Sequence, residues 1–575
     1  MKTNKIYAVL LTVAALVFGS CSSDYLTRDP IGGMLVQDQY EKLPNSLEGS
    51  LRGLYSYLYS FDDHDAFGLR SIDMYTDLLC GDMALTSQTY GWFYTDESEH
   101  TRANRSGYLW SLFYRILHNT NAVLRAANNS TTLRDTIAIY GLPNNGLDVE
   151  NGEGEVIYAY REDDALIANY YAQALTIRAF CYSKLVQLFC PTPAHIHAAM
   201  SAGAAYNLDT YPAFPVYTEN NMDDPQPMAP IAEVYERIEN DLTQAISYWD
   251  AFGSAIARSG KLEVDVSVAR TLLAYSYLNK ACISTAYDVT MPRVVEPMTQ
   301  ARKYAEEVIY FGKYNIIPQE EFLTTGFNNV ENTSWMWGED VTTETATGLG
   351  SFFGQVDIHS YSYAWAGDTK VIDKNLYDQT PEWDGRSLWF NDGSKNQSFL
   401  LCPDGKFFST KAKSVNFSTA SDDIDREWLS DNVFMRMELA YLIAAEACYF
   451  LNDMTSAVAY LDAIMSERLN PNNITAAADY ATFKGTLLDR DAFIQELYRN
   501  WRLELWGEGY GLQTFRLLGH MYYYQAPDGK VMDKVTRGAN HLYNPSKQIE
   551  YTDESIYTMT IPSSETTYNP HMQDD

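Results

Sequence analysis

Tyr361, Tyr363 and Trp365 alternate with small residues in the stretch HSYSYAWAG, residues 359–367. In an extended chain all three rings share one face. Such a face either fills a core or lies open and stacks on something flat. A second aromatic group, Tyr90, Trp92, Phe93 and Tyr94, stands within residues 78–108, where no helical period is visible. The chain is 14% aromatic, with 44 Tyr and 11 Trp. Tyrosine at that abundance suits amphipathic surfaces that touch ligands.

Catalytic and metal chemistry find less support. With 75 acidic residues, a carboxylate pair somewhere is inevitable and carries no specificity for glycoside cleavage. No Gly-x-Ser-x-Gly elbow, His-Glu-x-x-His pair or P-loop is present, and no cofactor is implied. His195 and His197, in PAHIHAAM, could share a face around a metal, but no third and fourth ligands are placed beside them. The expectation is no metal and no enzyme.

The elements that must position the aromatic groups are helical. Residues 228–249 place Ile231, Val234, Tyr235, Ile238, Leu242, Ala245, Ile246 and Trp249 on one stripe at spacings of three and four. A second helix starts at Val268, in VARTLLAYSYLNKA. A third starts at Gln300, buries Ala301, Tyr304, Ala305, Val308 and Ile309, and stops at Gly312. Further helices are predicted at about 108–127, 165–190, 433–450, 454–468 and 489–506. Two pairs look alike: LLAYSYLNKA and LIAAEACYFLND each precede a helix with alanines on its inner face. Such pairs resemble tetratricopeptide units, each covering its neighbour's apolar face. Between about 321 and 430 the helical period fades into Gly, Asn, Asp, Thr and aromatics, and a stretch this long is usually functional.

The first twenty residues read as a leader. Lys2 and Lys5 precede an apolar run, Ile6 to Phe18, that is too short to span a bilayer. VFGSC then resembles the lipobox of bacterial lipoproteins, with Cys21 the residue to be lipidated and residues 1–20 the signal peptide. A multiply acylated cysteine would anchor the protein stably. The formal charge of −33 argues against nucleic acid and anionic lipid as partners. Cys80, Cys181, Cys190, Cys282, Cys402 and Cys448 are scattered without short paired spacings, so no disulfide framework is expected.

Several stretches carry a family resemblance. NVFMRMELAYLIAAEA, with Arg436, Glu438, Tyr441, Leu442, Ala445, Glu446 and Ala447, resembles a segment of SusD/RagB-type outer-membrane lipoproteins of Bacteroidetes. IAEVYERIENDLTQA, ALTIRAFCYSKLVQLF with Arg178, and WSLFYRILHNTNAVL with Trp110, Tyr114, Ile116 and Asn121 fit in order. YAEEVIYFGKY and the near-terminal IPSSETTYNP fit too. NWRLELWGEGYGLQTFRLLG keeps Arg502, Glu504, Glu508 and Gly509 but departs before its last aromatic turn, and Cys190-Pro191 stands where the family commonly has glycine.

The resemblance implies a mostly α fold. Tetratricopeptide-like helix pairs would form a right-handed superhelical scaffold, at about 40–320 and 430–520 of a single body, 21–575. A loop-rich ligand-binding half with a few short strands would centre on the insertion at about 321–430. It also implies a surface-exposed lipoprotein of the outer membrane that captures nutrients for a SusC-like TonB-dependent transporter. Oligosaccharide or polysaccharide is the expected ligand. A RagB-type peptide ligand is the alternative, and a glycan-degrading enzyme a third reading.

Sugar rings present flat C–H faces that stack on Trp and Tyr, while their hydroxyls need polar side chains alongside. Trp92, Tyr90 and Tyr94 from one loop, and Trp365, Tyr363 and Tyr361 from another, are the candidate contacts. Asn329, with Asn328 and Asn332, would supply amides. Trp335 and Trp337 of SWMWG are read instead as a core strand.

Overall fold

Apolar spacings of three and four turn most of the described chain into helix. The computed structural model describes residues 44–87, 89–93, 103–129, 162–191, 196, 199–200, 202–207, 209–252, 258–282, 294–358, 362–394, 397–404, 429–519, 534–542, 548–550 and 557–572. Cys21, Tyr94, Tyr361, His195 and His197 lie outside these residues.

Two helices, α1 (Pro44–Ser56) and α2 (Leu69–Cys80), precede the main stack. Seven helices then pack each on the next in chain order: α3 (Ala103–Asn129), α4 (Glu162–Phe189), α5 (Ile231–Phe252), α6 (Val266–Lys280), α7 (Val295–Phe311), α8 (Met437–Phe450) and α9 (Met454–Met465). This is the paired-helix scaffold expected from the sequence. Among the described residues, α10 (Ala476–Lys484), α11 (Arg490–Glu504) and α12 (Gly511–Leu517) follow, with a last short helix at Ser563–Tyr568. The predicted stripe of α5 is buried in full. Ala301 and Ala305 of α7, Ala440, Ala444 and Ala447 of α8, and Ala457 of α9 are fully buried, and their small side chains let neighbouring helices approach closely.

Local chemistry sets the ends. Asp265 caps α6, accepting from the Ser267 and Val268 amides at 3.0 and 3.1 Å. Gly312 ends α7 with φ +67°, as its position suggested. The third helix starts at Val295 rather than Gln300. The expected helix at 433–450 is a strand followed by a helix, because Arg436 is extended and residues 432–436 pair with another strand. Likewise the expected 454–468 helix ends at Met465 and tightens into a 3-10 turn.

Among the described residues, four two-stranded antiparallel ribbons decorate the helices: β1 (Met83–Leu85) with β5 (Lys370–Ile372), β2 (Pro212–Pro215) with β3 (Met228–Pro230), β4 (Trp335–Glu339) with β6 (Asn432–Arg436), and β7 (Lys534–Thr536) with β8 (Gln548–Glu550). Trp335 and Trp337 lie on β4 with no exposed surface, as read from the sequence. Their indole N–H groups donate to the carbonyls of Gly326 and Leu262 at 2.7 and 2.8 Å.

Beneath β6 lies a buried ionic cluster. The Glu504 carboxylate accepts from Arg386, Arg436 and Arg468 at 3.1, 2.8 and 2.9 Å. Glu438 bridges Arg436 and Arg468 at 3.0 and 2.9 Å, and Glu508 holds Arg436 at 2.9 Å. Asp384 joins Arg386 and Arg499 at 2.7 and 3.0 Å. Burial would raise the Glu504 carboxyl, but the Arg468, Arg436 and Arg386 guanidiniums overcome it and hold it well below the usual carboxylate range. The family-like residues Arg436, Glu438, Glu504 and Glu508 are therefore members of one network. The six described cysteines are all buried, and none forms a disulfide.

Candidate functional site

The β1–β5 ribbon brings the two aromatic loops together. Leu85 pairs with Lys370, so the chain leaving β1 runs beside the chain entering β5. The Thr86 amide donates to the Thr369 carbonyl at 3.3 Å, and the two threonine hydroxyls meet. The Ser87 hydroxyl and, at 3.1 Å, the Thr89 hydroxyl donate to the Gly367 carbonyl. Gly367 has φ +101°, which glycine alone adopts without strain. On the other loop, Gly91 at φ +84° and Phe93 at φ +64° flank Trp92. A left-handed phenylalanine is an unusual, strained residue. It is held by burial of its ring, 5.0 Å from Tyr75 and 6.1 Å from Phe67.

Residues 362–368 form a turn, not the extended strand suggested by HSYSYAWAG. The Ala366 amide donates to the Ser362 carbonyl at 3.0 Å, the Asp368 amide to the Tyr363 carbonyl at 2.8 Å, and the Trp365 amide to the Ser362 hydroxyl at 3.0 Å. The shared face is thereby broken. Tyr363 turns inward and keeps 8% of its surface exposed, while Trp365 turns outward at 46%.

Tyr363 is the hub of a ring cluster. Tyr90, His64 and Trp92 stand 5.1, 5.6 and 6.1 Å from it, all edge-on. His64 also lies 5.2 Å from Trp92 and 5.4 Å from Phe61. Edge-to-face contacts of this kind fix ring orientation. Phe61 lies over Gly350, where any Cβ would strike its ring. Tyr90, Phe61 and Trp365 are exposed and Trp92 is half-buried. The result is a patch with a fixed floor and open aromatic surface.

Below the floor, the Lys370 ammonium is 3.1 Å from the Asp368 carboxylate, both buried, and stands 5.8 Å from the Tyr363 and Phe93 rings. Burial pulls the Lys370 ammonium below its ordinary pKa, against the pull of Asp368. Burial also raises the Tyr363 phenol; the Trp92 N–H opposes this, and Tyr90, Asp368 and Asp63 add to it.

Of the candidate contacts, the structure gathers Trp92, Tyr90 and Tyr363 into one cluster and places Trp365 on the same turn as Tyr363. It places the asparagines elsewhere. Asn329 caps a turn, accepting from the Glu331 amide at 3.0 Å. Asn328 is fully buried and donates to the Thr324 carbonyl at 3.0 Å, and Asn332 donates to Glu321 at 2.6 Å. These amides serve loop architecture. The sequence reading missed Phe61 and His64. Their signal was SFDDHDAF, a turn-forming run of acids and aromatics between α1 and α2.

A second concavity, of about 1170 Å³, lies between the segment after β5 and the loop before α10, with Tyr377, Glu382, Leu388, Asn391, Asn472 and Ile474 on its wall. It also went unread, although NPNN at 470–473 is a turn signal. Among the described residues, no group of three or more His, Cys, Asp or Glu side chains is arranged to hold a metal ion.

Comparison with known proteins places this geometry. Residues 327–574 match the model of the SusD family. A SusD-like carbohydrate-binding protein from Bacteroides vulgatus superposes with a TM-score of 0.61 at 20% identity, covering 92% of this chain and 97% of that one. A SusD superfamily protein from Bacteroides thetaiotaomicron gives 0.61 at 17%, covering 92% and 98%. NanU of B. fragilis gives 0.56 at 14%, covering 94% and 98%. No curated protein matches the sequence. Residues 327–574 are thus similar to the SusD family, and the whole chain shares the fold of these structures.

Proposed function

We propose that this protein binds glycans on the aromatic patch and does not cleave them. One observation carries the reading: two loops far apart in the sequence meet at Tyr363, where Tyr90 and Trp92 pack against it, and leave Tyr90 and Trp365 with nearly half of their surface exposed. Flat rings exposed to solvent suit stacking against sugar C–H faces, and a few polar groups at the rim fix orientation. The carbohydrate-binding description of the B. vulgatus neighbour supports the same reading.

The captured glycan is passed to a SusC-like TonB-dependent transporter in the same outer membrane. The SusD/RagB likeness supports this partner, and co-purification from solubilised outer membranes tests it. Cys21 supplies the lipid anchor; no described helix is long and apolar enough to cross a membrane. Cys21→Ala is expected to release the protein from the membrane fraction. A variant that sediments with membranes as fully as the parent contradicts the anchor.

The binding claim is tested by applying the purified protein to arrays of glycans and of peptides. Binding to glycans without release of shorter products, above a heat-treated control, is the expected result. Binding to peptides alone makes the protein a peptide receptor, and product release makes it an enzyme.

A further inference from the structure

We infer that the patch takes uncharged glycans and turns away those bearing carboxylates or sulfates. The inference rests on the reading of the patch as a glycan site and concerns what that site selects.

Recognition of an anionic sugar calls for a cation that can reach it, most often an arginine fork. Among the described residues, the cations beneath and behind the patch are already spent inside the protein. The Lys370 ammonium is fully buried against Asp368. The Arg105 guanidinium pairs with Asp65 and lies 4.7 Å from the Tyr75 ring. The Arg70 guanidinium is buried between Asp73, at 2.8 Å, and the Gly507 carbonyl, at 2.7 Å. His64 is wedged between Phe61, Trp92 and Tyr363, with its Nδ1 buried.

The rim carries the opposite sign. Asp62 and Asp63 are exposed, in the same turn as Phe61 and His64. The Asp63 carboxylate accepts from the His64 amide at 2.7 Å, which keeps it beside the rings, and its charge is felt at the Tyr363 phenol. The whole chain has a formal charge of −33. An acidic ligand therefore meets repulsion on approach and finds no exposed counter-charge among the described patch residues. A neutral pyranose gives up nothing by comparison, because stacking needs no charge.

The test has two stages. The purified protein is first screened on an array holding neutral, uronate-containing, sulfated and sialylated glycans. The tightest neutral polysaccharide is then compared with its own carboxymethyl derivative, at low and high salt, for the parent and for the Asp62→Asn, Asp63→Asn double variant. The expected hits are neutral. Carboxymethylation is expected to weaken binding at least about tenfold at low salt and less at high salt, where charges are screened. The double variant is expected to recover much of that loss; asparagine at 63 can still accept from the His64 amide, so the turn is kept. Uronate or sulfated glycans bound as tightly as neutral ones overturn the inference. So does a carboxymethylation penalty that the double variant leaves intact, since the cause is then bulk and not charge. Failure to bind any glycan overturns the glycan-site reading itself, and is distinct from binding without selectivity.

Discussion

The ionic cluster under β6 and the aromatic patch beyond β1 and β5 are built in the same way and finished differently. Both gather side chains from distant segments: Glu504 meets Arg386 across more than a hundred residues, and Tyr90 meets Tyr363 across more than two hundred and fifty. The cluster is sealed. Arg386, Arg436, Arg468, Glu438 and Glu504 have no exposed side-chain surface. Taking charges out of water is costly unless each is met by a partner, so a closed network tolerates no missing member. The patch is only half sealed. Tyr363, Phe93 and the Lys370–Asp368 pair form its buried base, while Tyr90 and Trp365 keep nearly half their surface in water. Rings lose little by exposure that a ligand can later cover. The same construction thus gives a sealed network in one place and an open aromatic surface in the other.

The comparison breaks most visibly at Glu504. Replacing it with alanine removes the carboxylate that Arg386, Arg436 and Arg468 share and leaves their buried charges only partly compensated. The expected loss is about 3–5 kcal/mol of folding stability, read from the urea midpoint. A midpoint equal to that of the parent would show that the cluster holds nothing together. The same carboxylate predicts acid lability. Its folded pKa lies below its unfolded value, so the stability it contributes is present above the unfolded pKa, about 4.3 for a free glutamate. That stability is lost as pH falls towards the folded pKa. Urea midpoints measured at pH 7 and at progressively lower pH check the sign.

Trp337→Ala comes next, at about 3–5 kcal/mol, because it empties a fully buried site on β4. Trp92→Ala sharpens the boundary between the two regions. Trp92 is half-buried against His64 and Tyr363, so its loss is expected to lower both ligand affinity and melting temperature, the latter by less than Trp337→Ala. A Trp92 variant that melts as low as the Trp337 variant would assign Trp92 to the core.

An effect visible only at raised pH is expected at Glu339, a buried carboxyl on β4 with the Asn432 amide donating to it at 2.8 Å. Burial pushes its pKa from 4.5 to about 8, and Asp431 and Asp340 add to the rise against that hydrogen bond. Between those values the unfolded chain ionises Glu339 and the folded chain does not. Its contribution therefore becomes more unfavourable as pH rises through that window. Glu339→Gln is expected to melt higher than the parent near pH 8 and about the same near pH 4. An equal shift at both values would show that the substitution acts through packing.

Much of the scaffold was legible because helices announce themselves locally. The stripe from Ile231 to Trp249 and the stop at Gly312 need no distant partner to be read. Trp335 and Trp337 were legible as core for a similar reason, since their alternation matches a strand. HSYSYAWAG misled because its shape is set from outside. The Tyr363 amide donates to the Gly354 carbonyl, and Gly367 receives the hydroxyls of Ser87 and Thr89, so a period-2 pattern is folded into a turn. Arg436, Glu438, Glu504 and Glu508 stood out as family-like residues, but only the fold shows that they form one buried network. Phe61 and His64 join the patch through tertiary contacts that no local pattern encodes.

The central claim is that Trp365 is a binding surface and not a core residue. Trp365→Ala settles it when melting temperature and affinity for the array-identified glycan are measured side by side. Melting unchanged with affinity weakened about ten- to a hundredfold, by analogy with the loss of about 1–3 kcal/mol when one ring is removed from beneath a stacked base, is the result this account predicts. Unchanged melting with unchanged affinity would place the binding surface elsewhere on the protein, and a sharp fall in melting temperature would make Trp365 part of the core.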